Sequence, residues 1–158
     1  MKIMLVIVGK TSNKHIQTLM NEYLERLKHY KIGIDIHVIS DIKNSNKLSA
    51  LEQKKAEGAK ILRIIDKHDY IVLLDEHGVE HTSVQLAKWI ENRINSSIKR
   101  IVFIIGGAYG FSSEIYNYKD EMISLSKLTF SHQMVRLIFI EQLYRAMTII
   151  NNEPYHHE

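Results

Sequence analysis

The sequence predicts an α/β fold: one domain over residues 1–158, with a mostly parallel sheet covered by helices. Three observations predict it. Runs of β-branched and long aliphatic residues alternate with stretches whose apolar positions recur at helical spacing. The first strand run, Lys2 to Val8, is almost continuously apolar rather than alternating, as expected of a strand covered on both faces. The fourth such run delivers a glycine-rich loop, FIIGGAYGF (Phe103 to Phe111), where open α/β sheets bind ligands, outside the carboxyl ends of their strands.

The elements follow in order. Lys2 to Val8 is almost wholly aliphatic and stops at Gly9, which predicts a strand covered on both sides. Ile16, Leu19, Met20, Tyr23, Leu24, Leu27 and Tyr30 mark one helix stripe facing the core. Gly33 to Ile39 is the second strand, and the polar run DIKNSNK is a surface loop. Ser49 followed by Glu52 is a capping box opening a helix with Leu51, Ile61, Leu62 and Ile65, marginal in its middle at Gly58. Tyr70 to Leu74 is the third strand, ended by the turn-like DEHG. Thr82 or Ser83 caps the next helix, with Val84, Leu86, Ala87, Ile90 and Ile94 inward. Arg100 to Ile105 is the fourth strand. Glu121 to Ser126 is too short and mixed for either assignment, and LTFSHQ is a second irregular loop. Met134 to Ile150 is a long helix, apolar on more than one face, which suits a central core position, an oligomer interface or both.

Composition narrows the function classes. A chain of 158 residues, 45% apolar and 25% charged, is long enough for one buried core. It has no cysteine, so disulfides, thiolate metal sites and a thiol nucleophile are excluded. The amino-terminal apolar run is too short for a signal-peptide core, and no stretch approaches the roughly 20 residues that span a bilayer. A soluble, cytoplasmic protein without a membrane partner is expected. The net charge of +3 admits a polyanionic partner without demanding one.

The glycine loop is the first candidate for chemistry. It matches neither G-x-x-x-x-G-K-[ST] nor G-x-G-x-x-G, no lysine follows, and Glu114 falls in the first turn of the next helix, where it opposes a phosphate. Gly106, Gly107 and Gly110 therefore fit a ligand that is not a polyphosphate, or simply turn the chain. The last helix carries Arg136, Glu141 and Arg145, with His132 and Gln133 just ahead. Glu141 and Arg145 are four apart and meet on one face, either as an ordinary surface ion pair or as part of a cleft gripping phosphate or carboxylate. The tail, EPYHHE, offers a phenol, two imidazoles and a carboxylate, yet adjacent histidines diverge and no H-E-x-x-H spacing is present, so no metal is expected. There is no G-x-S-x-G elbow. Asp75 and Glu76 stand at a strand end but point apart as sequence neighbours.

The opening IMLVIVGK, the loop IIGGAYG and the run SLSKLTFSHQMVRLIFIEQLYRAMTIINNEPYHHE together resemble the ribosomal large-subunit methyltransferase H family, in the SPOUT class of S-adenosylmethionine-dependent enzymes. The resemblance extends from the first strand to the final residues. It implies a carboxyl-terminal trefoil knot, an exception to the rule against knots, and a homodimer that covers the apolar last helix. It implies N3-methylation of a pseudouridine in 23S rRNA on the assembled ribosome, with S-adenosylmethionine as donor. The donor residues it implies are Leu74, Gly106, Gly107 and the segment Leu125, Ser126, Lys127, Leu128, Thr129, Phe130 and Ser131. On the RNA side it implies His132, Glu141 and His157, and as catalytic groups His156, Tyr155 and Arg145. Two positions depart from the pattern: Ser131 stands where the family usually has proline, and His157 where arginine or lysine is common. A non-catalytic, ribosome-associated RNA-binding factor is the competing expectation, and its lack of donor affinity would distinguish it. A nucleotide hydrolase is disfavoured by the missing phosphate loop.

Overall fold

The computed structural model describes residues 1–157. Among them, five strands and five α-helices alternate: β1 (Lys2–Val8), α1 (Lys14–Leu27), β2 (Gly33–Ile39), α2 (Ala50–Leu62), β3 (Tyr70–Glu80), α3 (Ser83–Ile94), β4 (Arg100–Ile105), α4 (Ser113–Tyr118), β5 (Glu121–Ser124) and α5 (Met134–Ile150). The strands form one sheet in the order β2-β1-β4-β3-β5, and every pairing is parallel.

Side-chain alternation along the strands builds two apolar layers. Ile3, Leu5 and Ile7 of β1 and Ile101, Phe103 and Ile105 of β4 face α1, α3 and α5, where they meet Phe139, Leu143 and Trp89. Met4, Val6, Val102 and Ile104 face the other way, onto Ile61 of α2 and Ile115 of α4. Both faces of the central strands are thus covered, which is why their sequences show no polar alternation. The helices begin where capping chemistry requires. Ser49 and Thr82 each complete a capping box, with Glu52 and Gln85, and Ser112 caps α4.

Four assignments depart from the sequence reading. The DEHG segment does not end β3: the strand bulges after Leu74 and pairs again through Val79 and Glu80, so that both Leu74 and Val79 stand opposite Ile123 of the short strand β5. Helix α2 ends at Leu62, leaving Ile65 beyond it. Leu19, Leu51 and Val84, placed inward by spacing, are exposed, while Trp89 is buried. Leu19 and Val84 lie at the margins of their stripes, where spacing alone does not separate core from rim, and Leu51 stands in the first turn of α2. Gly58, the weak point of α2, is instead its contact with α4, since a Cβ there would stand 2.5 Å from the Ser112 hydroxyl.

Candidate functional site

A cleft of about 420 Å³ opens at the carboxyl ends of β3, β4 and β5. Three chain segments wall it. Leu74 and Asp75 come from the bulged part of β3, Gly106 to Phe111 follow β4, and the stretch after β5 runs from Leu125 to the start of α5. This volume lies within the range of small-molecule sites, roughly 300 to 1,000 Å³.

Local hydrogen bonds shape these walls. The Gly110 amide donates to the Gly107 carbonyl at 3.0 Å, closing the glycine loop into a tight turn. The Ser124 hydroxyl donates to the Ser126 carbonyl at 3.0 Å, and the Ser126 hydroxyl accepts from the Leu128 amide at 2.9 Å. Ser131 accepts at its hydroxyl from the Met134 amide (3.2 Å) and at its carbonyl from Val135 (3.0 Å), so it opens α5 where a proline would supply no side-chain acceptor. Gln133 fastens the same corner to the start of α1, accepting from the Ser12 and Asn13 amides at 3.1 and 2.9 Å.

Most of the expected donor residues come together here. Leu74, Gly106, Gly107, Leu125, Ser126, Leu128, Thr129 and Phe130 line the cleft, as does His132. Lys127 and Ser131 do not: Lys127 extends into solvent toward Glu80, 3.8 Å away, and Ser131 is spent on the helix start. The walls are largely backbone and apolar side chain, with no lysine or arginine among the lining residues. Such a lining suits an uncharged nucleoside moiety and gives nothing to neutralise phosphates.

Asp75, which the sequence offers only as one of two diverging carboxylates at a strand end, is the most heavily bonded side chain of the cleft wall. It accepts from the Tyr116 hydroxyl at 2.6 Å and from the His77 amide and Nδ1 at 2.9 Å each. Burial alone would raise its carboxyl, but these bonds outweigh it and hold Asp75 below the ordinary carboxylate range. Burial and the same carboxylate push Tyr116 up to about 12.

The charged residues of α5 and the tail gather on a different surface, where α1 and α5 pack. Arg145 donates to Glu141 at 2.6 Å and approaches the His156 Nδ1 at 3.4 Å. The Tyr155 hydroxyl donates to Glu141 at 3.0 Å and lies 3.3 Å from that of Tyr23. Its ring packs edge-on to Tyr144, centroids 4.8 Å apart, and beneath the Arg145 guanidinium. The pair is therefore part of a half-buried network rather than a lone surface bridge, and the tail is docked through Tyr155. Burial, then the bonds to Tyr23 and Glu141, raise the Tyr155 phenol well above its ordinary value. His157 is exposed, and Glu158 lies outside the described residues. None of Glu141, Arg145, Tyr155 and His156 lines the cleft of its own chain.

Arg136, grouped by sequence with the other charges of α5, behaves differently. It is 1% exposed and donates to the Thr11 hydroxyl at 2.9 Å and to the Val8 carbonyl at 2.5 Å, binding α5 to the end of β1. Its Nε has no partner among the described residues. Burial pulls its pKa down against the attraction of Asp41. Its place three and four positions before Phe139 and Ile140, on the face that continues through Leu143 and Met147, is the signal that marks it off from Glu141 and Arg145. Among the described residues, no group of three or more metal-ligating side chains converges, and no helix is long and apolar enough to cross a membrane.

Comparison with known proteins agrees with this geometry over the whole chain. A family model described as predicted SPOUT methyltransferase matches residues 1–156. A ribosomal RNA large subunit methyltransferase H from Phocaeicola vulgatus is 56% identical over 158 residues, covering 100% of both chains. Proteins of the same name from Parabacteroides distasonis and Bacteroides fragilis are 54% and 52% identical, again with 100% of both chains covered.

Proposed function

Because the chain belongs to the SPOUT methyltransferase family, we propose that it is an S-adenosylmethionine-dependent enzyme that methylates N3 of a pseudouridine in 23S rRNA, acting on assembled ribosomes in the cytoplasm. The observation that carries the reading is the cleft, in which a tight glycine turn and the segment after β5 offer backbone groups to a nucleoside without phosphate-binding cations. The same reading includes a knotted carboxyl-terminal part, as the family implies, and a homodimer.

The donor fits these walls. At Gly107 a Cβ would already stand 2.5 Å from the Glu57 Oε2, so the backbone itself forms the surface at that point. Leu74, Gly106, Gly107, Leu125, Ser126, Leu128, Thr129 and Phe130 would hold the adenosine and methionine portions, with Ser131 holding the end of that segment. When bound, S-adenosylmethionine supplies an activated methyl group on a sulfonium.

The chain's own residues must then align the base and manage one proton, since N3 of the pseudouridine loses its imide proton as it gains the methyl group. Tyr155, kept protonated by its surroundings, serves as a hydrogen-bond donor rather than a base. His156 is the proton acceptor of the tail, and Arg145 stabilises negative charge on the ring or grips an adjacent phosphate. His132, Glu141 and His157 complete the RNA side, with Glu141 orienting Arg145 and Tyr155 through its two bonds. The tail cluster and the cleft lie apart in one chain, so the homodimer brings one subunit's tail to the other's cleft.

Transfer of tritium from labelled S-adenosylmethionine to ribosomes lacking the modification, followed by nucleoside analysis, tests the reading. Label recovered as N3-methylpseudouridine supports it. Donor binding without label in that nucleoside contradicts the substrate, and absence of donor binding contradicts the enzyme.

A further inference from the structure

The glycine loop rests on a buried acid outside the cleft. Glu57, in the middle of α2, is 5% exposed, and its Oε1 accepts from the Gln53 Nε2 at 3.0 Å. A Cβ on Gly107 would stand 2.5 Å from Oε2 and 2.9 Å from both Oε1 and the carboxyl carbon. Gly106, Gly107, Gly110 and Phe111 line both the cleft and the small space beside Glu57, whereas Glu57 does not line the cleft. The loop is thus a partition, with the proposed donor site on one side and a carboxyl group on the other. The next residue, Gly58, meets Ser112, so two consecutive residues of α2 touch the start of the turn and the cap of α4 just beyond it.

Glu57 is an unusual choice for such a support, because a buried carboxylate is costly unless paired or neutral. Burial raises its carboxyl above the ordinary range, Gln53 opposes this, Asp41 adds to it and Lys60 opposes it. A carboxyl group pressed on a glycine backbone sets a spacing without drawing on the loop's own hydrogen bonds.

We propose that Glu57 is a positioning residue of the methyl-donor site: its side chain fixes how far Gly107 stands from α2 and so sets the loop's backbone groups at the distance the donor requires. The inference rests on the reading of the cleft as the donor site.

Calorimetric titration of the full-length protein with S-adenosylmethionine, together with donor KM and kcat on ribosomes, tests it. Glu57→Ala raises the donor Kd and KM about tenfold or more, while kcat at saturating donor stays within about threefold. Glu57→Gln, neutral and of the same shape, keeps Kd within about threefold of the unaltered protein. Gly107→Ala weakens donor binding, and adding Glu57→Ala restores part of the loss because the added methyl gains room. If Glu57→Ala does not fold, Glu57→Asp combined with Gly107→Ala carries the same comparison, since the shorter acid also withdraws from the methyl. The inference is overturned if Glu57→Ala lowers thermal stability but leaves Kd unchanged, or if the double variant binds no better than Gly107→Ala. Unaltered protein that does not bind the donor overturns the functional reading and this inference together; unaltered protein that binds while the variants behave alike overturns the inference alone.

Discussion

The Tyr155 hydroxyl donates to the carboxylate of Glu141 at 3.0 Å, joining the tail to the last helix across 14 positions of sequence. Glu141 accepts from Arg145 through the same oxygen, so one carboxylate fixes both a phenol and a guanidinium. Tyr155→Phe removes the bond to Glu141 and the contact with Tyr23 but keeps the ring on Tyr144. A loss of about 1 kcal/mol in stability is expected. Differential scanning calorimetry should record a Tm lower by about 3 °C, and transfer to ribosomes should slow with donor Kd unaltered.

Arg145 is the charged group proposed to act on RNA. Arg145→Ala should lower single-turnover methylation about a hundredfold or more. Arg145→Lys should recover little, because an ammonium cannot bridge Glu141 and His156 as the fork does. Donor titration should be unaffected, since Arg145 does not line the cleft.

Asp75 makes stability depend on pH at the acid end. Its folded-state pKa lies below the ordinary 3.8, so its contribution is complete above about pH 4 and is lost as pH falls through the folded value. Asp75→Asn should therefore melt below the unaltered protein at pH 5 to 7, and the gap should close in more acid solution. Tm measured across this range decides it, and a gap that widens on acidification contradicts the assignment.

Glu57 has the opposite sign. Its folded-state pKa lies above the ordinary 4.5, so the protonated form favours folding below that value and the advantage is lost as pH rises through the folded pKa. Glu57→Gln has no such loss, so its Tm relative to the unaltered protein should increase between pH 4 and pH 8. Thermal melts over that interval check the direction.

Arg136 joins α5 to the end of β1, and Arg136→Met should cost about 2 kcal/mol by stranding the Val8 carbonyl and Thr11 hydroxyl. Chemical denaturation measures it. A stability within a few tenths of the unaltered protein contradicts a structural role for this buried charge.

The sequence made the frame of the fold legible because that frame is local. The β1, β2, β4 and α5 boundaries follow from apolar runs and glycine stops, and the capping boxes at Ser49 and Thr82 follow from spacing. What it concealed depends on partners distant in the chain. The DEHG segment has turn chemistry, yet pairing with Ile123 keeps it in the sheet. Glu57 looks like any charge on a surface helix until Gly107 is packed against it, 50 residues on. Arg136 and Arg145 are the same residue type on the same helix, and the bonds to Val8 and Glu141 show how differently they are used, one locked against β1 and the other in the half-buried tail network. Most of the cleft was identified by resemblance, because its backbone-rich walls leave little imprint on residue types.

A mixing experiment tests the central claim, that the cleft of one subunit and the tail of its partner make one methylating site. Cleft-impaired Gly107→Glu protein and tail-impaired Arg145→Ala protein, each inactive alone, are unfolded together, refolded and assayed for methyl transfer to ribosomes. In a twofold dimer, half of the refolded molecules are mixed and each carries one intact site, so about a quarter of the unaltered activity should return. A mixture as inactive as its components would contradict a site shared between two subunits.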